Sequence, residues 1–502
     1  MAAGSQITGP RTYGNWRKPT TSGLFGLGSL GTGVMLGGLI VCVLVTMVGG
    51  LLRGLITFVL LVGVLATILT RDRHGKSLLD RGLARISWIN ATNKGAHLYR
   101  SGPLGFALWG THQLPGIAAQ LRLSEHTDSY GRPFALIYAP ATRTYTAVIA
   151  TEPDGAGLVD ADQVDVWVAD WGHWLAQLSD EPGMEACAVT IETAPDTGHR
   201  LRREVSSNLD PHAPAFARAM LNEVVELYPA GSSIIKAYVT LTFSSVSAAT
   251  GKKRTDTEMG RDLAARLPGL TGSLSATGAG AARPLTAADL CEVIRVAYNP
   301  GVAPLVDQAH SQGEDTNLDW CDVGPVAAEG EWEGYRHDDA YSVTWSMTTA
   351  PRGSVQSSVL ARLLAPHREV ARKRVTLLYR PIDAARAAAI VESDLRSAQF
   401  VATSSSRPSA RAVLATRSAA ATASEEASGA GLVNFGMLVT ATVLDVDRLP
   451  EAKAAIDNLA ATARLRLRPV YGAQASAFAA ALPLGLILPK HLKVPAAMKD
   501  RL

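Results

Sequence analysis

Nothing acidic precedes Asp72 in this 502-residue chain, and no charged side chain of either sign occurs between Leu24 and Leu52. An opening segment so poor in carboxylates lacks the acidic residue that a nucleotide-binding loop needs for the ribose. Cysteine is nearly as scarce. Cys42, Cys187, Cys291 and Cys321 lie far apart with no CxxC pair, which argues against a zinc ribbon or a disulfide framework and suits a reducing compartment. Charged residues make up 19% of the chain and the net charge is +3, too small over this length to imply a polyanion partner. Hydrophobic residues reach 47%, enough for sizeable cores, and the length leaves room for about three or four domains.

What the opening does have is two long uncharged runs. The first extends from Leu24 to Leu52, Arg53 interrupts it, and the second extends from Gly54 to Thr70. Crossing a bilayer takes about 20 apolar residues, with about 17 as the lower end, so residues 24–70 read as a transmembrane helical hairpin with a tight turn at Gly49–Gly54. The apolar region is too long for a signal peptide. Arg11, Arg17 and Lys18 precede the hairpin and Arg71, Arg73 and Lys76 follow it. The positive-inside rule therefore predicts two cytoplasmic termini, on a multi-pass protein of the inner (plasma) membrane.

Within the stretch FGLGSLGTGVMLGG, Gly26, Gly28 and Gly31 match GxGxxG. A dinucleotide loop needs a strand before it and a carboxylate about 20 residues after it, and both are missing. Gly33 with Gly37, and Gly50 with Gly54, form GxxxG pairs that let helices approach in lipid; these four are the candidate helix-packing residues. Gly75-Lys76-Ser77 resembles the end of a Walker A loop, but Thr70 stands where its first glycine belongs. It reads as a basic juxtamembrane segment near anionic headgroups.

Beyond the hairpin the pattern is α+β: two cytoplasmic sheet-and-helix domains, ferredoxin-like or similar. The first, residues 71–250, reads as β-β-α-β-α-β. It contains a hairpin over Phe134–Ala139 and Thr144–Ala150, then a helix from Asp160 or Asp162 to Leu178. Trp167, Trp171 and Trp174 share one face of that helix, which favours core packing over a ligand stripe. Residues 251–330 look mainly helical, with a cap at Thr286-Ala-Ala-Asp and a stop at Asn299-Pro300. The second domain, residues 331–502, alternates again from Tyr341–Thr348 to Leu467–Tyr471 and carries a low-complexity insertion at residues 403–431. Residues 1–23 form a basic cytoplasmic segment ahead of the hairpin.

Catalytic patterns are not found. The chain has no HExxH, no GxSxG and no complete Walker A motif, and Cys321, beside Trp320 and Asp322, has no histidine near it for a metal site. Glu425-Glu426 fall in the low-complexity segment and read as solvated surface. No catalytic residue, cofactor or metal is expected. The run from His367 to Arg374 supplies the candidate polyanion or partner contact, Arg368, Arg372, Lys373 and Arg374. Its blander reading is a solvated edge or a protein contact.

Two stretches resemble known families. The segment TYGNWRKPTTSGLFGLGSLGTG, the hairpin and the following RDRHGKSLLDR look like an actinobacterial family of two-helix membrane proteins of type IV-like secretion or conjugation loci. The hairpin itself is similar to the PrgI-type inner-membrane subunit. The stretch from Ala473 to Gly485, AQASAFAAALPLG, resembles the segment closing the N-terminal domain of TraC/TrbE-type conjugation ATPases. Together these resemblances imply a non-enzymatic inner-membrane subunit with a motorless docking domain. Its expected partners are a separate secretion ATPase, other membrane subunits and lipid, in a hetero-oligomer. The E component of type VII secretion is a rival resemblance, and a membrane-tethered nucleic-acid-binding protein is an alternative of another class.

Overall fold

A computed structural model describes residues 11–14, 16, 28–70, 72, 74–105, 111–153, 155, 157–210, 212–227, 233–247, 250–351, 353–404, 407 and 409–492. Most of the basic N-terminal segment and the first two glycines of the GxGxxG match lie outside the described residues or at their edge.

Helices α1 (Gly28–Gly49) and α2 (Leu51–Leu69) form the hairpin. Gly50 makes the turn with φ +81, a left-handed conformation that glycine takes without a Cβ penalty. Both helices are long and apolar enough to cross a membrane, and their side chains stay uncovered: Val48 is 90% exposed. A closed turn leads into α3 (Leu78–Asn93). Ser77, from the Walker-like triplet, is the N-cap of α3 in a reciprocal capping box with Asp80.

The body begins with β1 (Leu98–Arg100). Its first half contains β2 (Arg122–Thr127), β3 (Pro133–Ala139), β4 (Thr144–Glu152), α4 (Ala161–Asp180), β5 (Met184–Pro195), α5 (His199–Asn208), α6 (Ala215–Leu227) and β6 (Ser233–Ser244). Next come α7 (Asp256–Leu274), β7 (Ala281–Pro284), α8 (Ala287–Tyr298) and α9 (Ala303–Gln312). The second half has β8 (Ala327–Gly330), β9 (Tyr335–His337), β10 (Ala340–Thr349), α10 (Ala361–Leu364), β11 (Arg372–Pro381), α11 (Ala384–Thr403) and α12 (Ala410–Ala427). It closes with β12 (Val433–Val443), α13 (Leu449–Thr462), β13 (Arg466–Pro469), α14 (Gln474–Ala480) and α15 (Leu488–His491).

These strands form one 13-stranded sheet, in the order β1-β8-β9-β10-β12-β11-β5-β6-β4-β3-β2, with β7 beside β4 and β13 beside β10. The two expected α+β halves are therefore joined edge to edge, β11 against β5, rather than standing as two separate sheets. The stretch 251–330 is not a separate helical layer. Its β7 joins the first half, its β8 starts the second, and Met259, Leu263 and Leu267 of α7 are buried against the first half of the sheet.

The two halves repeat one plan about the β5–β11 seam. The strand order β3-β4-β6-β5 continues as β11-β12-β10-β9, and each half inserts a helical pair between its two central strands: α5 and α6 in one, α11 and α12 in the other. Registers match in detail. Thr146 opposes Thr242 on β4–β6 as Ser342 opposes Thr442 on β10–β12. Pro284 opposes Ile149 as Pro469 opposes Trp345.

The sheet's two faces differ. On one, α4 and α7 cover an apolar core containing Phe134, Leu136, Leu241 and Phe243, while α10 and α13 cover a second with Val343, Val375 and Val439. Alternation in each strand sends the remaining side chains to the other face. There the strands YVTLTF, RVTLLY and MLVTAT present threonines. These hydroxyls are buried, so each requires a partner. Thr146 bonds Thr242 at 3.0 Å, Thr344 bonds Thr440 at 2.9 Å, and Ser342 bonds Thr442 at 2.7 Å. The chain from Gln474 to Leu486 lies over this stripe. Thr376 donates to the Ala481 carbonyl at 2.8 Å, and the Gln474 side chain brackets Thr344, accepting from its N–H at 2.8 Å and donating to its carbonyl at 3.1 Å. Phe478 and Leu482 of this segment complete a core shared with Ile137, Leu290 and Tyr335.

Candidate functional site

Of the four candidate basic residues, only Arg368 faces solvent; its side chain is 91% exposed and pairs with Glu369. The other three are strand residues of β11 and are buried, which corrects the reading of them as a polyanion contact. Arg374 donates to Glu192 Oε2 through Nε at 3.0 Å and Nη2 at 2.7 Å, and Arg372 pairs with the other carboxylate oxygen. Burial pushes the Glu192 carboxyl up, but the charges of Arg374 and then Arg372 overrule it and hold it at about 2. Lys373 points to the opposite face, where its ammonium donates to the Ala365 carbonyl at 2.5 Å. Burial brings its pKa down to about 8. Sequence alone could not reveal the carboxylate partner, since Glu192 lies on β5 in the other half of the chain.

Beside this triad sits a histidine that sequence reasoning passed over. His337 is fully buried, with Nδ1 2.5 Å from the Tyr298 carbonyl and Nε2 2.8 Å from Ser342 Oγ. Burial pushes its pKa down to about 4, assisted by the Arg374 charge and opposed by the Tyr298 hydrogen bond, so the ring is neutral at pH 7. Nδ1 then donates to the carbonyl, and Nε2 accepts from Ser342, which accepts from Thr442. The order hydroxyl, imidazole, oxygen acceptor parallels a nucleophile with its base. However, Ser342 and His337 are wholly inaccessible and Phe478 packs over the ring at 4.7 Å. The chain of bonds satisfies buried polar groups and welds β9, β10 and β12 together.

The other sequence candidates are dispersed. Gly33 and Gly37 face open space, whereas the hairpin's close approaches are at Gly38, where a Cβ would meet Leu61, and Gly54, where it would meet Thr46 Oγ1. The second GxxxG pair thus contributes a turn at Gly50 and a contact at Gly54. Trp174 is buried and stacks on Trp171 at 5.0 Å, as core packing requires. Asp319, Cys321 and Asp322 bring one ligand atom each within 4.8 Å of one another. Burial and the adjacent Asp322 raise the Cys321 thiol. Described residues form concavities. One is an open apolar groove of ≈ 440 Å³ on the hairpin around Cys42, Gly54 and Phe58, and another holds ≈ 200 Å³ between α4 and α7.

The surface offers a different kind of feature. Helix α6 buries none of its side chains; Phe216, Met220, Val224 and Leu227 form an exposed stripe at helical spacing, with Phe216 76% exposed. The equivalent pair α11–α12 exposes Phe400, Val401 and Leu414. Exposed apolar patches of this sort mark interaction surfaces.

Comparison with known proteins bears on the hairpin. A family described as Domain of unknown function (DUF8461) matches residues 20–80, which span both apolar helices and end as α3 begins. No curated protein matches the chain.

Proposed function

We propose that this chain is a non-enzymatic, two-span membrane subunit of a type IV-like secretion or conjugative apparatus. Its body holds a separate ATPase against the cytoplasmic leaflet. The observation that carries the anchor is the hairpin: two helices of mean hydropathy 2.2 and 2.3, uncovered on nearly every side, joined to a body of ordinary polarity. Burying such surface in lipid removes it from water at roughly 25 cal/mol per Å². Basic residues on both flanks support cytoplasmic termini.

The docking role is supported by the exposed stripe on α6 and by the rigid platform behind it, in which both halves share one sheet. The secretion assignment is supported by the resemblances of the N-terminal segment and of AQASAFAAALPLG. The nucleic-acid alternative loses its main support, since three of its four cations are buried.

Isolation of the tagged full-length chain from membranes, with a type IV-like secretion ATPase co-expressed, tests this reading. Co-elution that is lost on Phe216→Asp with Met220→Asp, while the chain stays in the membrane fraction, is the expected result. Recovery of the chain alone in every preparation contradicts it.

A further inference from the structure

Helix α3 has one face committed to the body and the other bare among the described residues. Trp88 lies 6.1 Å from Trp332 and 6.1 Å from His97, and the Arg85 guanidinium sits 4.6 Å over the Trp332 ring. On the opposite arc Leu79, Leu83, Ile86 and Ile89 are all exposed, Ile86 by 66%. At 100° per residue these four fall within about 120° of arc, shared with Gly82 and, at its C-terminal end, Asn90 and Asn93.

The start of this helix is tied to the end of the hairpin. The Leu78 N–H donates to the Thr70 carbonyl at 3.3 Å, Asp72 N–H donates to the Lys76 carbonyl at 2.9 Å, and Arg81 pairs with Asp72. The first turn of α3 therefore sits where α2 ends, at the level of the headgroups if α2 spans the bilayer. Exposed Lys76 precedes the stripe at the membrane end of the helix.

We propose that α3 lies in the plane of the cytoplasmic bilayer surface, its Leu79–Ile89 stripe sunk among acyl chains and Lys76 at its start against anionic headgroups. An amphipathic helix with a basic start and a bare apolar face has the chemistry of an interfacial helix, buried about 5–10 Å into the headgroup boundary. Through Trp88 and Arg85 it fixes the tilt of the whole sheet relative to the membrane. The inference rests on the hairpin spanning the bilayer, and its test separates the two.

The full-length chain carrying Cys321→Ser is labelled with an environment-sensitive fluorophore at one new cysteine, Leu83→Cys, Ile86→Cys, Ser87→Cys or Val59→Cys. It is then reconstituted in vesicles of phosphatidylcholine with phosphatidylglycerol. Positions 83 and 86 are expected to be quenched by shallow spin-labelled lipid at least about twofold more than position 87, with position 59 quenched by deep label. Position 59 quenched while 83 and 86 respond to aqueous iodide as 87 does overturns the interfacial placement and keeps the anchor. Blue-shifted emission at 83 and 86 without lipid quenching means that protein covers the stripe, and also overturns it. An unquenched position 59 sinks the anchor itself, and the interfacial placement with it.

Discussion

Thr190 and Thr376 face one another across the β5–β11 seam with their hydroxyls 3.3 Å apart. They occupy equivalent positions in the two halves of the body, so the seam is where the repeated plan meets itself. Two residues along the same strands, Glu192 opposes Arg374 in register. The polar stripe of the sheet thus grades from paired hydroxyls into a buried ion triad.

Breaking that triad is expected to be costly. Glu192→Ala leaves Arg372 and Arg374 buried without their carboxylate, and loss of one member of such a group costs about 3–5 kcal/mol. Arg368→Gln, removing an exposed side chain, changes stability by less than about 0.5 kcal/mol. Urea unfolding of the detergent-solubilised chain, followed by tryptophan fluorescence, measures both. Equal effects would show that the seam does not depend on the triad.

Acid should destabilise the body in two stages. The His337 pKa falls from 6.5 unfolded to about 4 folded, so the unfolded state binds the extra proton. Its contribution, about 3 kcal/mol, is fully present above pH 6.5 and is lost as pH falls toward 4. Glu192, lowered from 4.5 to about 2, adds a further loss below pH 4.5. His337→Gln should flatten the stability profile between pH 6.5 and 4 and leave the lower limb unchanged. An unaltered upper limb in that variant contradicts the assignment to His337.

How much of this was legible beforehand depends on the range of the interaction. The hairpin follows from the uncharged runs on either side of Arg53, and the cap at Thr286 from its spacing to Asp289; the structure shows that capping box. Alternation located β4, β6, β10 and β12 because each has a covered face. The burial of Arg372, Lys373 and Arg374 was not legible. Three cations in a row look solvated unless a carboxylate far away in sequence is known to oppose them. The union of two halves in one sheet was hidden for the same reason, since edge pairing of β5 with β11 leaves no local signature. The C-terminal segment lying over the alternating threonines makes that face of the sheet interior.

That segment is locked by Gly485. Its φ is +65, and a Cβ there would come within 2.2 Å of Thr146 Oγ1 and 2.5 Å of Thr242 Oγ1. Gly485→Ala is expected to cost about 1–3 kcal/mol. Gly436→Ala on β12, where a Cβ meets nothing within 4 Å, is the matched control and should change stability by less than about 0.5 kcal/mol. Thermal unfolding distinguishes them, and equal melting temperatures would count against the locked segment.

In the hairpin, Gly54→Leu should disrupt helix contact because its Cβ position already collides with Thr46 Oγ1 at 2.0 Å. Gly33→Leu points into open space and should be tolerated. Protease resistance of the hairpin in micelles reads the difference, and equal sensitivity would show that the helices do not meet at Gly54.

The anchor itself is tested most directly by alkaline carbonate extraction of membranes bearing the full-length chain. Retention in the pellet, with release of a chain lacking residues 28–70, is the result expected of two spanning helices. Release of the full-length chain into the supernatant would contradict the account.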